Sequence, residues 1–181
     1  MQELLRGSVR LTALSAADAS VLAPWYEDGA FSRMLDARAS APRAESDLVR
    51  WIEETNSTRD GFLFGIRPLE AETLLGFVQV GEILWPQGNG WITLAVGPGH
   101  QAQGVGAEAL RLALRFAFDE VNLRRLQLTV FSYNTRAIAL YERLGFRPEG
   151  AFREFLRRDG QAYDLLLYGL LEREWRESSR H

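Results

Sequence analysis

The 181-residue chain contains no cysteine, no lysine and only two histidines. Without cysteine there is no disulfide scaffold, no thiolate metal site and no cysteine nucleophile. Without lysine there is no Schiff-base or amine catalyst, since all 21 basic residues are arginine. One histidine, His181, is the last residue, which leaves His100 alone and argues against a histidine-rich metal site, so no metal is expected. No stretch approaches an uninterrupted membrane span. Residues 1–10 alternate polar and apolar, without the long apolar stretch and cleavage site of a secretory signal. The net charge of −3 argues against a general nucleic-acid binder. The expectation is a cytoplasmic protein with neither a membrane nor a nucleic acid as partner.

Hydrophobic residues make up 46% of the chain and charged residues 25%, enough to fold around a real core. The length suits one domain over residues 1–181, with its core in 9–175. Residues 9–11 read as the end of a first strand. Ser15 reads as the N-cap of a helix over 16–27, and a second helix over 45–56 carries Leu48, Trp51 and Ile52 as an apolar stripe. The small, polar stretch 32–43 reads as loop or broken helix. Aromatic and β-branched residues mark strands at 61–66, 73–80 and 91–96, parted by turn residues such as Pro86 to Gly90. Helical spacing returns over 104–121, a strand follows at 126–131, and a helix over 135–144 ends at Gly145. Residues 152–157 and 162–171 read as a hairpin about Asp159-Gly160. Strands in blocks with helices between them predict an α/β (α+β) fold: a mixed sheet with helices on its faces.

The most informative segment is Gln101-Ala102-Gln103-Gly104-Val105-Gly106, which follows a strand and opens a helix. A helix start carries free backbone N–H groups and partial positive charge, and so attracts phosphate. Glycines at 104 and 106 let a pyrophosphate approach those groups. Spacing alone leaves both a phosphate site and an unliganded glycine-rich turn open. No Lys-Ser or Lys-Thr follows, so this is not a P-loop. Ala109 stands where a dinucleotide fingerprint needs its third glycine, and an antiparallel meander precedes the turn, which disfavours a Rossmann site. The second segment runs from Asn134 to Phe146. Asn134 stands at an N-cap position and Tyr141 lies two helical turns on, roughly 10 Å along the axis. That pair either touches one elongated ligand at two points or belongs to an ordinary capped amphipathic helix.

Together these segments resemble the GNAT N-acetyltransferase family. Gln101, Gly104 and Gly106 match its pyrophosphate loop, and Asn134, Tyr141 and Leu144-Gly145-Phe146 match its following helix. The closing hairpin, with Asp164 and the run from Leu170 to Trp175, is similar to the branch holding ribosomal-protein alanine and spermidine N-acetyltransferases. The resemblance covers residues 9–175. It implies a mixed, mostly antiparallel sheet of about seven strands, splayed in the middle and flanked by about four helices. It implies acetyl-coenzyme A as co-substrate and a small-molecule or peptide amine as acceptor, and it admits a homodimer. Backbone groups of Leu94, Ala95 and Val96 would pair with the pantetheine arm, the amides of Gln101, Ala102, Gln103, Gly104, Val105 and Gly106 would hold the pyrophosphate, and Asn134 and Ala137 would meet the arm from the other side.

Acetyl transfer needs a neutral amine, a donor for the developing oxyanion and a proton for the leaving thiolate. The resemblance gives the last task to Tyr141, and a phenol with an ordinary pKa of about 10 is protonated at neutral pH. Some relatives carry a glutamate base five residues before the asparagine. Thr129 stands there and cannot serve, so deprotonation through water is expected, with Glu82 as a helper. Glu82 reads equally as a solvated strand-end carboxylate. Asp164 either assists or pins the hairpin. His100 and Arg136 either meet cofactor phosphates or lie on the surface. Trp25, Trp51, Trp85 and Phe31 either shape an acceptor pocket or fill the core. Glu27, Asp28 and Asp36 either draw in a cationic acceptor or form a solvated acidic face. A non-catalytic acyl-coenzyme A sensor of the same fold is the alternative function.

Overall fold

The computed structural model describes residues 5–178. Its elements are β1 (Val9–Ala13), α1 (Ala19–Glu27), α2 (Gly29–Leu35), α3 (Glu45–Ser57), β2 (Phe62–Pro68), β3 (Gly76–Leu84), β4 (Asn89–Val96), α4 (Val105–Arg115), β5 (Arg125–Phe131), α5 (Thr135–Arg143), β6 (Arg147–Arg158), β7 (Gln161–Leu171) and α6 (Glu172–Ser178). The strands form one sheet in the order β1-β2-β3-β4-β5-β7-β6. Every neighbouring pair is antiparallel except β4 and β5, which run parallel. This is the expected mixed sheet of seven strands.

Strand alternation sorts the side chains onto two faces. On one face Ile92, Leu126, Leu128 and Val130 join a core with Leu110, Leu114, Tyr141 and Leu144 of α4, α5 and its C-terminal end. On the other, Phe77 and Ala95 join Leu22, Trp25 and Phe31 of α1 and α2 and Leu48 and Ile52 of α3. Leu48 and Ile52 are fully buried, each contributing about 1.5–3 kcal/mol relative to exposure. The stripe expected for α3 is thus its packing face.

A buried ion pair ties the first turn of the chain to the sheet. Asp18 accepts from the Ser15 N–H at 2.9 Å through one carboxylate oxygen. Its other oxygen accepts from the Arg67 guanidinium of β2 at 2.6 Å. Arg67 also donates to Thr12 Oγ1 of β1 at 3.0 Å. Ser15 therefore caps a turn, as expected, but residues 16–18 form a 3₁₀ turn that hands over to α1.

Other boundaries shift for identifiable reasons. The stretch 32–43, read as loop or broken helix, starts inside α2, a helix of seven residues whose cap is Asp28, accepting from the Ala30 N–H at 2.8 Å. α6 was not anticipated, so six α-helices stand where about four were expected. β3 runs four residues past the expected end, across an irregularity between Gly81 and Leu84. α4 yields after Arg115 to a single π-helical turn, Phe116–Glu120. β6 begins at Arg147, five residues before the expected start, and carries two irregularities, near Pro148 and beyond Phe152, that interrupt the period-two pattern. Asp159 and Gly160 both have positive φ, 50° and 79°, as a two-residue hairpin turn requires.

Replacing Asp18 with alanine leaves the buried Arg67 guanidinium only the longer, exposed ion pair to Glu72 at 3.9 Å. The expected loss is about 3–5 kcal/mol of unfolding free energy, read as a lower denaturant midpoint at constant slope. An unchanged midpoint would show that the pair contributes nothing net.

Candidate functional site

β4 and β5 pair over only three positions: Asn89 with Arg125, Gly90 with Leu126 and Trp91 with Gln127. Beyond them the strands part. A cavity of about 790 Å³ occupies the gap, with walls from residues 91–96 of β4 and 129–131 of β5. The Gly97 N–H donates at 2.8 Å to Leu75 O, toward β3. By alternation, Leu94 and Val96 turn their N–H and C=O groups the other way, into the gap. The sheet therefore contains an internal strand edge, the arrangement that accepts an extended ligand as a further strand.

The turn after β4 opens on the α4 side of this gap. Its backbone is strongly left-handed, with φ of +84° at Gly99, +63° at Ala102 and +79° at Gly104. The side chains of Gln101 and Gln103 fold back onto Val96 O at 3.2 Å and Gly99 O at 3.1 Å. Among the described residues no protein acceptor takes the N–H groups of 101–106, so they converge unpaired at the start of α4. The two glycines serve different ends. Gly104 faces open space and is needed for its φ. A Cβ on Gly106 would stand 3.3 Å from Val96 and 3.4 Å from Leu94, so its bareness lets α4 lie close against the gap-lining strand.

α5 closes the same side. Asn134 Oδ1 caps the helix by accepting from the Ala137 N–H at 3.3 Å. The spare amide hydrogens of Asn134 remain available, and both residues line the cavity. Tyr141 also lines it and is 8% exposed, its ring set edge-on against Phe146 at 5.9 Å. Burial alone pushes its phenol up to about 12. Arg136 reaches across to Gln101 at 3.4 Å and, with His100, lines the mouth beside the turn.

The opposite mouth is built from α2 and the other face of the strands. Phe131 pairs across the sheet with Leu165, and both line the cavity with Phe31, Met34 and Leu35. Arg33 grips Asp159 in a fork at 2.8 and 3.2 Å. Arg158 donates to Asp36 O and Arg38 O, each at 2.9 Å. These bonds hold the end of α2 against the β6–β7 turn and so fix that wall.

Most of the residues nominated from sequence converge here: Leu94, Ala95, Val96, Gln101, Ala102, Gly104, Gly106, Asn134, Ala137 and Tyr141 all line the cavity. Three do not. The Gln103 side chain is spent on Gly99, and Val105 is buried at 8% exposure as the residue that seats the helix start. Glu82 is solvent-exposed at φ +48° in the β3 irregularity, outside the lining. Asp164 pins the hairpin, accepting from the Glu154 N–H at 2.8 Å. Trp25 and Trp51 are packed in the core, while Trp85 donates to Asp60 at the surface. Met34, Leu35, Leu140, Arg143 and Leu165 were not foreseen. Only α2, had it been read as a helix, would have announced the first two.

Among the described residues the sheet is parted at its one parallel pair, with a bare-amide turn on one face and a recess on the other. A sequence model of the Acetyltransferase (GNAT) family matches residues 24–146, and the chain belongs to that family. It is 29% identical over 134 residues to the SPbeta prophage-derived uncharacterized N-acetyltransferase YokL of Bacillus subtilis, covering 74% of this chain and 75% of that one. It is 24% identical over 171 residues to the ribosomal protein uS5 alanine N-acetyltransferase of Escherichia coli, covering 94% and 85%. The crystal structure of spermidine N-acetyltransferase from Vibrio cholerae, in complex with coenzyme A and spermine, superposes with a TM-score of 0.84 at 20% identity. That match covers 94% of this chain and 99% of that one. At such identity the likeness speaks for the fold. Among the described residues no helix is long and apolar enough to cross a membrane, and no cluster of acidic, histidine or cysteine side chains is placed to hold a metal.

A branched side chain at position 106 must push α4 away from Val96 and Leu94. Gly106→Val is expected to weaken coenzyme A binding at least about tenfold by calorimetry, with the far-ultraviolet circular dichroism unchanged. Unaltered affinity would separate the glycine turn from the ligand.

Proposed function

We propose that the chain, as one domain, is an acetyl-coenzyme A-dependent N-acetyltransferase acting on a primary amine. The observation that carries this reading is the juxtaposition of unpaired turn amides, an internal strand edge and a buried phenol along one cavity. The dimensions agree: Asn134 and Tyr141 are two turns apart on α5, roughly 10 Å, as an elongated ligand threading the gap requires.

Acetyl-coenzyme A supplies the activated acetyl group. In this proposal the N–H groups of 101–106 bind its pyrophosphate, helped by the α4 dipole and by Arg136. Leu94 and Val96 hold the pantetheine arm through their gap-facing backbone groups, and Asn134 donates to it from α5. A strand N–H near Val96 faces the thioester oxygen. Tyr141 delivers a proton to the departing sulfur. With its phenol raised to about 12 it holds that proton at every working pH. It regains it from water afterwards.

Among the described residues no carboxylate lines the cavity, so in this proposal the amine sheds its proton to solvent rather than to a held base. Thr129 occupies the position where a glutamate base was sought, and Glu82 acts at most through intervening water. The acceptor enters through the mouth formed by α2 and β7, opposite the turn. The alternative, a sensor that binds acyl-coenzyme A without turnover, is disfavoured by a buried phenol whose hydroxyl has no structural partner to serve.

Tyr141→Phe is expected to lower kcat by about 10²-fold or more, the usual worth of a positioned acid, while coenzyme A affinity moves less than about threefold. Equal turnover would remove Tyr141 from the acid role. The pH profile follows from the same assignments. kcat/KM should rise with pH as the acceptor amine deprotonates. It should show no descending limb up to about pH 10, because loss of the Tyr141 proton lies near 12. A fall between pH 7 and 9 would point to another acid.

A further inference from the structure

The side chains at the acceptor mouth are apolar. Phe31, Met34 and Leu35 come from α2, and Phe131 and Leu165 from the paired strands β5 and β7. Trp91, on the same face of β4 by alternation, forms the floor. The polar groups on this side, Thr93 and Thr129, are neutral. The whole cavity is lined by no aspartate or glutamate among the described residues, whereas Arg136, Arg143 and His100 do line it.

Several acidic residues around this mouth have partners of their own: Asp164, next to Leu165, accepts from the Glu154 N–H, and Asp159 pairs with Arg33. Asp28 caps α2 by accepting from the Ala30 N–H at 2.8 Å. Asp36, next to Leu35, accepts from the backbone N–H of Arg38 at 2.9 Å and from its guanidinium at 3.0 Å. Glu82 points away from the lining into solvent. An ammonium group entering this recess thus exchanges water for hydrocarbon without a counter-charge, which is strongly unfavourable. Aromatic faces offset part of that for one cation, but not for a chain of them. The reacting amine escapes the penalty because it must be neutral to attack.

We infer that the acceptor is a monoamine: one primary amine attached to an apolar body, with no second cationic group. This rests on the acetyl-transfer reading above and narrows it. The recess favours an arylalkyl amine or a peptide whose first side chain is apolar, and it rejects polyamines. The same chemistry comes from either source, a free small amine or a polypeptide N-terminus.

The test is a thiol-release assay on the full chain with acetyl-coenzyme A and phenethylamine, a pentapeptide beginning with leucine, or spermidine. Coenzyme A binding is measured on the same sample. The expected result is a kcat/KM for phenethylamine or the leucyl peptide at least about tenfold above that for spermidine. Whichever of the two is faster identifies the source. Spermidine turned over as fast as both overturns the inference. Coenzyme A binding without thiol release from any amine overturns the acetyl-transfer reading itself, and the acceptor assignment falls with it. Met34→Glu adds the missing carboxylate at a half-exposed position of the mouth, 46% accessible, where folding is insensitive to charge. It should shift the spermidine-to-phenethylamine ratio about tenfold toward spermidine. An unmoved ratio also counts against the recess as the acceptor site.

Discussion

After Trp91 and Gln127, β4 and β5 cease to exchange hydrogen bonds although both strands continue. Backbone groups inside a protein are ordinarily paired, and a sheet that opens its own centre forgoes that. The opening persists because each strand is held from its outer side. β4 is zipped to β3 over residues 89–96, and β5 to β7 over residues 125–131. The gap is therefore a rigid slot between two clamped half-sheets. Its depth, its exposed amides and carbonyls and its two openings all follow from that one interruption.

The two faces of the slot have separate chemistries because different helices cover them. On the α4–α5 side the groups are polar and fixed: turn amides without acceptors, the amide of Asn134, and a single phenol raised by burial. On the α2 side the groups are hydrocarbon, and the polar bonds lie behind them, where Arg33 and Arg158 bind the hairpin and the end of α2. A polar, amide-rich face and a hydrocarbon face are thus kept apart by the thickness of the sheet, and they meet where the strands separate.

Much of this was legible in the residues and some was not. The glycine turn and the Asn134–Tyr141 helix could be read because both depend on local rules: a helix start with bare amides, an N-cap, a two-turn spacing. The parting of β4 from β5 came from family resemblance, and the spatial order of the strands was not legible, since pairing is not encoded in any single segment. α2 escaped because its seven residues include glycine and serine and take their order from packing on Trp25 and Tyr26. The hairpin part of β6 was read, but its first five residues, 147–151, escaped, where an irregularity near Pro148 disturbs the alternation by which strands are recognised. The packing role of Gly106 was hidden for a similar reason. Its neighbours Val96 and Leu94 are ten and twelve positions earlier, and only the fold brings them together.

One contact joins the halves mechanically. A Cβ on Gly97, the first residue after β4, would lie 2.4 Å from the ring of Trp25. The indole occupies that space and itself stacks edge-on against Phe31 of α2. The root of the bare-amide turn and the wall of the opposite recess therefore rest on the same aromatic keystone. Neither mouth can widen by tilting its own scaffold without displacing the other's, so the spacing of the two mouths is set by a tryptophan that lines neither.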